Sequence, residues 1–150
     1  MRTGELCVRN VVIAPRDLAV VAAAKRMREE HVGALVVTDR VNGREIPVGI
    51  VTDRDLVMEI LAAEIDPAGL TVGEVMSNEL LTIHEEEHVW TAIRIMREAG
   101  VRRIPVVDSD DGLVGILSLD DTLGLLSYEL GELVKLVHRE RKREEKTRPA

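Results

Sequence analysis

The chain has 150 residues, enough for one compact domain or for two small halves that share a core. Hydrophobic residues make up 45% of it, nearly all aliphatic, and the net charge of −7 argues against a nucleic-acid binder, which usually presents a basic face. The lone Cys7 excludes a disulfide within the chain, and without a visible secretory signal or long apolar run we expect a cytoplasmic protein that does not bind membranes.

The sequence repeats itself at a shift of 69 residues. Ordered matches run from Glu5, which corresponds to Glu74, to Asp39, which corresponds to Asp108. The shift then shortens by three within a polar turn, where changes of length are tolerated. These matches indicate two copies of one structural unit.

The first copy shows an extended segment, a helix and two strands in chain order. The predicted bounds are Val11–Ala14, Asp17–His31, Ala34–Thr38 and Pro47–Val51. Apolar residues recur in the helix at the i, i+3, i+4, i+7 spacing of one buried face. Asn42-Gly43 is a hairpin turn signal, and Thr52 is expected to cap a second helix.

The second copy follows a turn-rich linker at Asp66–Gly69 and has the same order of elements. The predicted bounds are Leu80–Ile83, Glu85–Gly100, Ile104–Asp108 and Leu113–Leu117. Asp111-Gly112 marks the hairpin, and Ser118 caps the next helix. A βαββα unit of this size leaves one apolar sheet face uncovered. We therefore predict an α/β (α+β) domain in which two pseudo-symmetric units pack sheet to sheet.

The chain is expected to end in a helix with a charged tail, which gives a division into 1–70, 71–127 and 128–150. A narrow apolar seam repeats at 3-4-3-4 spacing, at Leu123, Leu126, Leu130, Leu133 and Val137. Two heptads are too few to establish a coiled coil. The helix either docks on its own domain or packs across a dimer, and the charged residues after Val137 are expected to fray.

Two similar segments in each copy carry a resemblance to a known family. They are Val32–Asp39 and Val48–Leu56, then Val101–Asp108 and Val114–Leu123. In each copy the second segment contains a glycine, two apolar residues, a Thr or Ser and then an Asp three residues later. On this pattern the chain resembles a stand-alone pair of CBS (cystathionine-β-synthase) domains from about Glu5 to Ser127.

The resemblance implies a regulatory module rather than an enzyme. It implies that an adenosine ligand binds in the cleft between the repeats: AMP, ADP, ATP, NAD or a related dinucleotide, or S-adenosylmethionine. It also implies a partner protein that the ligand regulates, which the sequence does not identify, and association into a homodimer. No cofactor beyond the regulatory nucleotide is required.

Four polar residues at the ends of the hairpins are candidate ligand contacts. Thr52 and Ser118 either cap a helix or also help to hold a phosphate at its N-terminus. Asp55 and Asp121 either complement the helix dipole or accept hydrogen bonds from two ribose hydroxyls. In the family context, the ligand role is favoured at all four positions.

Three arginines and two isoleucines complete the candidate site. Arg102 and Arg103 precede a central strand, and Arg54 lies within the first repeat's motif. A guanidinium group donates bidentate hydrogen bonds to phosphate, although a solvated surface charge explains these arginines equally well. Ile50 and Ile116 either face the adenine base or are ordinary core residues.

The two clefts are predicted to differ. The first repeat has no basic residues at the positions of Arg102 and Arg103, so we expect the phosphate-binding cleft to combine these arginines with Ser118 and Asp121. The segment Cys7–Ile13 is expected to form its other wall.

Two alternative functions remain. The chain is a dimerisation scaffold if its clefts stay empty. It is a zinc hydrolase if the HExxH sequence at His84–His88 binds metal, although His84 is expected to precede the helix rather than lie within it. Trp90 lies off the predicted core face of its helix, which suggests a homodimer contact there.

Overall fold

The computed structural model describes residues 1–77 and 79–148. Within them, six strands form two three-stranded sheets. The strands are β1 (Ile13–Ala14), β2 (Ala34–Val41), β3 (Arg44–Thr52), β4 (Ile83–His84), β5 (Arg103–Val107) and β6 (Leu113–Ser118). The helices are α1 (Thr3–Leu6), α2 (Val20–Glu30), α3 (Asp53–Asp55), α4 (Val72–Val75), α5 (Val89–Ala99) and α6 (Leu119–Thr147), and a π-helical segment, Leu56–Leu61, follows α3.

The two sheets have the same topology. In the first, the central strand β2 pairs in parallel with β1 and antiparallel with β3. In the second, β5 pairs in the same way with β4 and β6. β3 and β6 contact each other across the boundary between the repeats. The predicted fold of two βαββα units with a C-terminal helix is confirmed.

The first hairpin is longer than the sequence pattern predicts. Its pairing extends to Val41 opposite Arg44, three residues beyond each predicted strand end. Asn42 and Gly43 form the turn with positive φ angles of 51° and 81°. A two-residue turn with this backbone twist keeps the flanking strands paired up to the turn, so the polar residues near it join the sheet.

The helix α2 begins at Val20 rather than at the predicted Asp17. The backbone carbonyls of the residues before it accept hydrogen bonds from the segment that leads into the second repeat. The Leu18 carbonyl accepts a 2.8 Å hydrogen bond from the amide of Val72, and the Arg16 carbonyl accepts one of 2.8 Å from Gly73. The short helix α4 therefore packs on the first repeat, although it precedes the second in the chain.

The N-terminal segment makes the reciprocal contact on the second repeat. The amides of Thr3 and Gly4 donate to the carbonyls of Glu87 and Glu85 at 2.8 and 2.9 Å, and Thr3 is fully buried. The helix α5 correspondingly begins at Val89, after these acceptors. Each repeat thus packs against the segment that leads into the other, and this exchange of lead segments joins the two repeats.

The interior consists of two apolar clusters, one for each sheet. The first contains Ala14, Ala23, Met27, Leu35, Val37, Val51, Val72 and Met76. The second contains Ile83, Ala92, Met96, Ile104, Val106 and Leu117, with Leu6 and Cys7 packed against it. The contributions of α1 and α4 show that the exchanged segments help to complete both cores.

The helix α6 differs from the predicted tail in two ways. It begins at Leu119, directly after the cap at Ser118, and it continues to Thr147. The expectation that the chain frays after Val137 is therefore wrong for the described residues, while Pro149 and Ala150 lie outside them. Arg141 forms an i, i+4 ion pair with Glu145 at 3.4 Å, a pairing that supports helix in a charged segment.

Candidate functional site

The two predicted hydroxyl–carboxylate pairs have nearly identical geometry. Oδ2 of Asp55 accepts hydrogen bonds from the Thr52 amide at 2.7 Å and from Thr52 Oγ1 at 2.8 Å. Oδ2 of Asp121 accepts from the Ser118 amide at 2.8 Å and from Ser118 Oγ at 2.5 Å. Both pairs therefore act as helix caps, as the sequence predicts. Oδ1 of each carboxylate receives no hydrogen bond from the residues 1–77 and 79–148.

The exchange of lead segments opens a cleft beside the first of these pairs. The Ile50 carbonyl accepts a 3.0 Å hydrogen bond from the amide of Ser77, which brings the segment leading into β4 against β3. The resulting cleft has a volume of about 540 Å³. Small-molecule sites typically measure about 300–1,000 Å³, so the space suits a nucleoside-sized ligand.

Both repeats contribute predicted site residues to this cleft. The first supplies Ile50, Thr52, Arg54 and Asp55, and the second supplies Arg102 and Arg103. Ser118 and Asp121, which the sequence analysis grouped with Arg102 and Arg103, do not line this cleft. We call this space the Thr52–Arg103 cleft.

Arg103 reaches the first repeat at Gly33, which has no side chain to block it. A Cβ atom built on Gly33 would lie 3.6 Å from Nη2 of Arg103 and 3.1 Å from Oδ2 of Asp53. Arg102 lies 3.8 Å from Asp120, with both side chains about 70% exposed. An exposed ion pair at that distance contributes little to stability, so the guanidinium group of Arg102 can form hydrogen bonds with a ligand.

The sequence profile of the CBS domain matches residues 4–62 and 72–128, which together make up most of the chain. The chain belongs to the CBS domain family. The two matched stretches correspond to the two sheets with their helices, and the segment between them contains the linker. The predicted resemblance to a tandem CBS pair is thus confirmed.

Proteins similar in sequence include an uncharacterized protein of Methanopyrus kandleri, which is 33% identical over 125 residues. The alignment covers 83% of this chain and 62% of that protein, so the chain spans less than two thirds of this relative. Among solved structures, a hexameric CBS-CP12 protein from bloom-forming cyanobacteria is 31% identical, with a TM-score of 0.72 over 82% of this chain and 66% of that one. The CBS domain pair of protein MJ0100, in complex with 5′-methylthioadenosine and S-adenosylmethionine, is 25% identical, with a TM-score of 0.73 over 84% and 99%.

The second motif of this CBS pair, Ser118 and Asp121, lies where the N-terminal segment crosses β6. Ile116 exchanges backbone hydrogen bonds of 2.9 and 3.0 Å with Val8, as Ile50 is paired with Ser77 in the first cleft. The N-terminal segment therefore pairs with β6 beside this motif. Gly33 and Ala34 occupy the positions that correspond to Arg102 and Arg103.

The lone cysteine lies in the N-terminal segment that crosses β6. Cys7 Sγ would be 2.5 Å from a Cβ atom on Gly115, so the thiol packs directly against the backbone of β6. Burial raises the pKa of Cys7, while the charge of Arg9 lowers it by a smaller amount. The thiol is thus held protonated and packs as a small apolar group.

Sequence reasoning missed several residues that line the Thr52–Arg103 cleft. Leu80, Leu81 and Val101 supply apolar surface, and Glu79 adds a carboxylate. Leu80 and Leu81 belong to a segment that was assigned only to the second repeat. Their contact with the first repeat follows from the exchange of lead segments, for which the repeat alignment carries no direct signal.

The HExxH sequence does not form one face of a helix. His84 ends β4, and its Nδ1 accepts a 3.2 Å hydrogen bond from the amide of Glu86. His88 precedes α5, and its Nδ1 accepts one of 3.4 Å from the amide of Trp90. In the part of the chain that the structure describes, no three His, Cys, Asp or Glu side chains group to hold a metal ion. No helix in that part is sufficiently long and apolar to cross a bilayer.

Proposed function

We propose that this CBS pair is a regulatory module that binds an adenosine phosphate in the Thr52–Arg103 cleft and signals to a partner protein. The observation that carries the proposal is the meeting of Asp55 with Arg102 and Arg103 in one cleft. A nucleotide presents a diol and an anionic phosphate at its two ends. A carboxylate and two guanidinium groups are the complementary groups for them.

Asp55 is the proposed ribose contact. Its Oδ2 already accepts two hydrogen bonds from Thr52, which fixes the orientation of the carboxylate. Its Oδ1 is the acceptor proposed for the ribose hydroxyls. A carboxylate held in place before binding loses little rotational freedom when the ligand arrives.

The phosphate is proposed to lie against Arg102 and Arg103, with Arg54 as a third donor. A guanidinium group forms charge-assisted, bidentate hydrogen bonds with phosphate oxygens. The cleft also contains Asp53 and Glu79, so its charge is mixed and only the side that carries the arginines attracts an anion. The adenine base would then pack between Ile50 and the apolar residues of the second repeat.

A similar CBS pair supports an adenosine-containing ligand but does not say which one this chain binds. The MJ0100 pair binds two adenosine compounds, neither of which carries a phosphate. Because the Thr52–Arg103 cleft contains three arginines, we propose AMP, ADP, ATP or the diphosphate-containing NAD ahead of S-adenosylmethionine, which carries no phosphate. The regulated partner, the cytoplasmic location and the absence of catalysis are part of the same proposal.

A thermal-shift panel with AMP, ADP, ATP, NAD and S-adenosylmethionine tests the proposal. A ligand at 100 times its dissociation constant stabilises the folded state by about 2.7 kcal/mol. For about 150 residues this raises the Tm by roughly 5–10 °C. An adenosine phosphate is expected to give the largest shift. No shift with any of the five compounds would reject ligand sensing and favour the ligand-free scaffold.

A further inference from the structure

The face of α6 that carries the apolar seam has no partner in the described chain. Only Thr122, near the start of the helix, is fully buried. From Leu126 to Arg148 every residue is exposed apart from Gly131, which is partly covered. The five seam positions are between 42% and 63% exposed. The sequence-based alternative of a helix docked along its own domain is therefore wrong for most of α6.

The spacing of the exposed apolar residues suits packing against a second helix. The seam advances by 3-4-3-4 from Leu123 to Val137, which places its residues in one narrow stripe. Two helices that cross at a small angle bury such stripes against each other along their length. A stripe of this kind on a soluble protein marks an interaction surface, because contiguous exposed apolar area is rare on monomers.

The charges along α6 identify the partner. Residues 119–137 contain four acidic side chains and one lysine, a net charge of −3, whereas residues 138–148 contain six basic and three acidic side chains, a net charge of +3. Two copies aligned in parallel would place like charges together at both ends. Two antiparallel copies place the basic end of each beside the acidic start of the other.

We propose that α6 is a homodimerisation helix that packs antiparallel against α6 of a second copy, with the two Leu130 side chains facing each other at the centre. Leu130 is the middle residue of the seam, so an antiparallel alignment about it places the first seam residue of each copy beside the last seam residue of the other. Leu123 of one copy then lies beside Val137 of the other. The basic end approaches the remainder of the partner, which carries a net charge of −10 because the whole chain carries −7.

Light scattering on the full chain tests the interface with two matched variants. Leu130 and Tyr128 are equally exposed, at 62% and 65%. Two residues correspond to about 200° around a helix, so Tyr128 lies on the opposite side from the seam. Leu130→Glu introduces two facing negative charges into an apolar contact and is expected to halve the mass of the assembly. Tyr128→Glu makes the same kind of change off the seam and is expected to leave the mass unchanged.

Either of two results would overturn the proposal: a wild-type chain that is monomeric at micromolar concentration, or a Leu130→Glu variant that associates as tightly as wild type. The exposure of Leu130 means that the variant should fold, and circular dichroism checks that it does. If Tyr128→Glu also halves the mass, the seam is not the interface and the proposal fails.

Disulfide cross-linking in a Cys7→Ser background tests the orientation. Mixing Leu123→Cys with Val137→Cys chains should give a cross-linked heterodimer, while neither variant alone should cross-link. Positions 14 residues apart are about 21 Å apart along a helix, and a disulfide needs Cα atoms within about 7 Å. Cross-linked homodimers from each variant alone would show a parallel pair and overturn the antiparallel proposal, as would a failure of the mixture to cross-link.

Discussion

The exchange of lead segments predicts that a methyl group at Gly115 will destabilise the protein. Gly115 lies in β6 where the N-terminal segment crosses it. A Cβ atom there would lie 2.5 Å from Sγ of Cys7 and 2.9 Å from the carbonyl oxygen of Val8. The thiol has some freedom to move, but Val8 is fixed because its backbone exchanges two hydrogen bonds with Ile116.

The expected cost of Gly115→Ala follows from these contacts. Overpacking a tight contact costs about 1–3 kcal/mol, and a loosened backbone hydrogen bond adds about 1 kcal/mol. The free energy of unfolding should therefore fall by about 2–4 kcal/mol, measured by urea denaturation followed by circular dichroism.

Gly49→Ala is the matched comparison in the other repeat. The added methyl group would contact Sδ of Met76 most closely, with the Ser77 carbonyl 3.1 Å away. Methionine is flexible, so the expected loss is smaller, about 1–2 kcal/mol. If Gly115→Ala unfolds at the wild-type urea concentration, or if Gly49→Ala is the more damaging change, the reasoning about the crossing segments is refuted.

Three further predictions concern exposed or partly covered positions. Gly124→Ala in α6 should raise the free energy of unfolding by about 0.5–1 kcal/mol, because alanine favours helix and a Cβ atom there meets nothing within 4 Å. A destabilised variant would show that another group covers this face of the helix. Cys7 should react with a thiol reagent only at higher pH in the native protein than in the unfolded one, because burial raises its pKa; equal pH profiles would contradict that burial. Trp90, which is 56% exposed on α5, should show a blue-shifted emission maximum if copies of the chain also associate through α5, and Trp90→Ala should weaken that association. Emission independent of concentration would exclude a contact at Trp90.

The fold was largely predictable because its determinants are local. Helix spacing, the Asn42-Gly43 turn and the hydroxyl caps each depend on residues that are close in sequence. The duplicated pattern then supported the assignment of both repeats. The errors in the bounds also have a local cause: the polar residues near the first turn join the hairpin because a two-residue turn keeps its strands in register.

The composition of the cleft was less predictable because it depends on contacts between the repeats. The alignment shows that Arg102 corresponds to Gly33, but it does not show which motif each residue faces. That is decided by the pairing of Ser77 with Ile50, between segments far apart in the chain. The length of α6 beyond Val137 was not predicted for a different reason. Its second half has no apolar face to guide a prediction, and ion pairs such as Arg141–Glu145 accompany the helix there.

Isothermal titration calorimetry on Asp55→Ala and Asp121→Ala, side by side with wild type, tests the central claim most directly. Both substitutions remove the same capping hydrogen bonds, so their effects on folding are matched. The account predicts that Asp55→Ala weakens binding of the adenosine phosphate by about 1–3 kcal/mol, roughly 5- to 150-fold, while Asp121→Ala changes it much less. Equal weakening by the two variants, or full affinity in a folded Asp55→Ala protein, would contradict binding in the Thr52–Arg103 cleft.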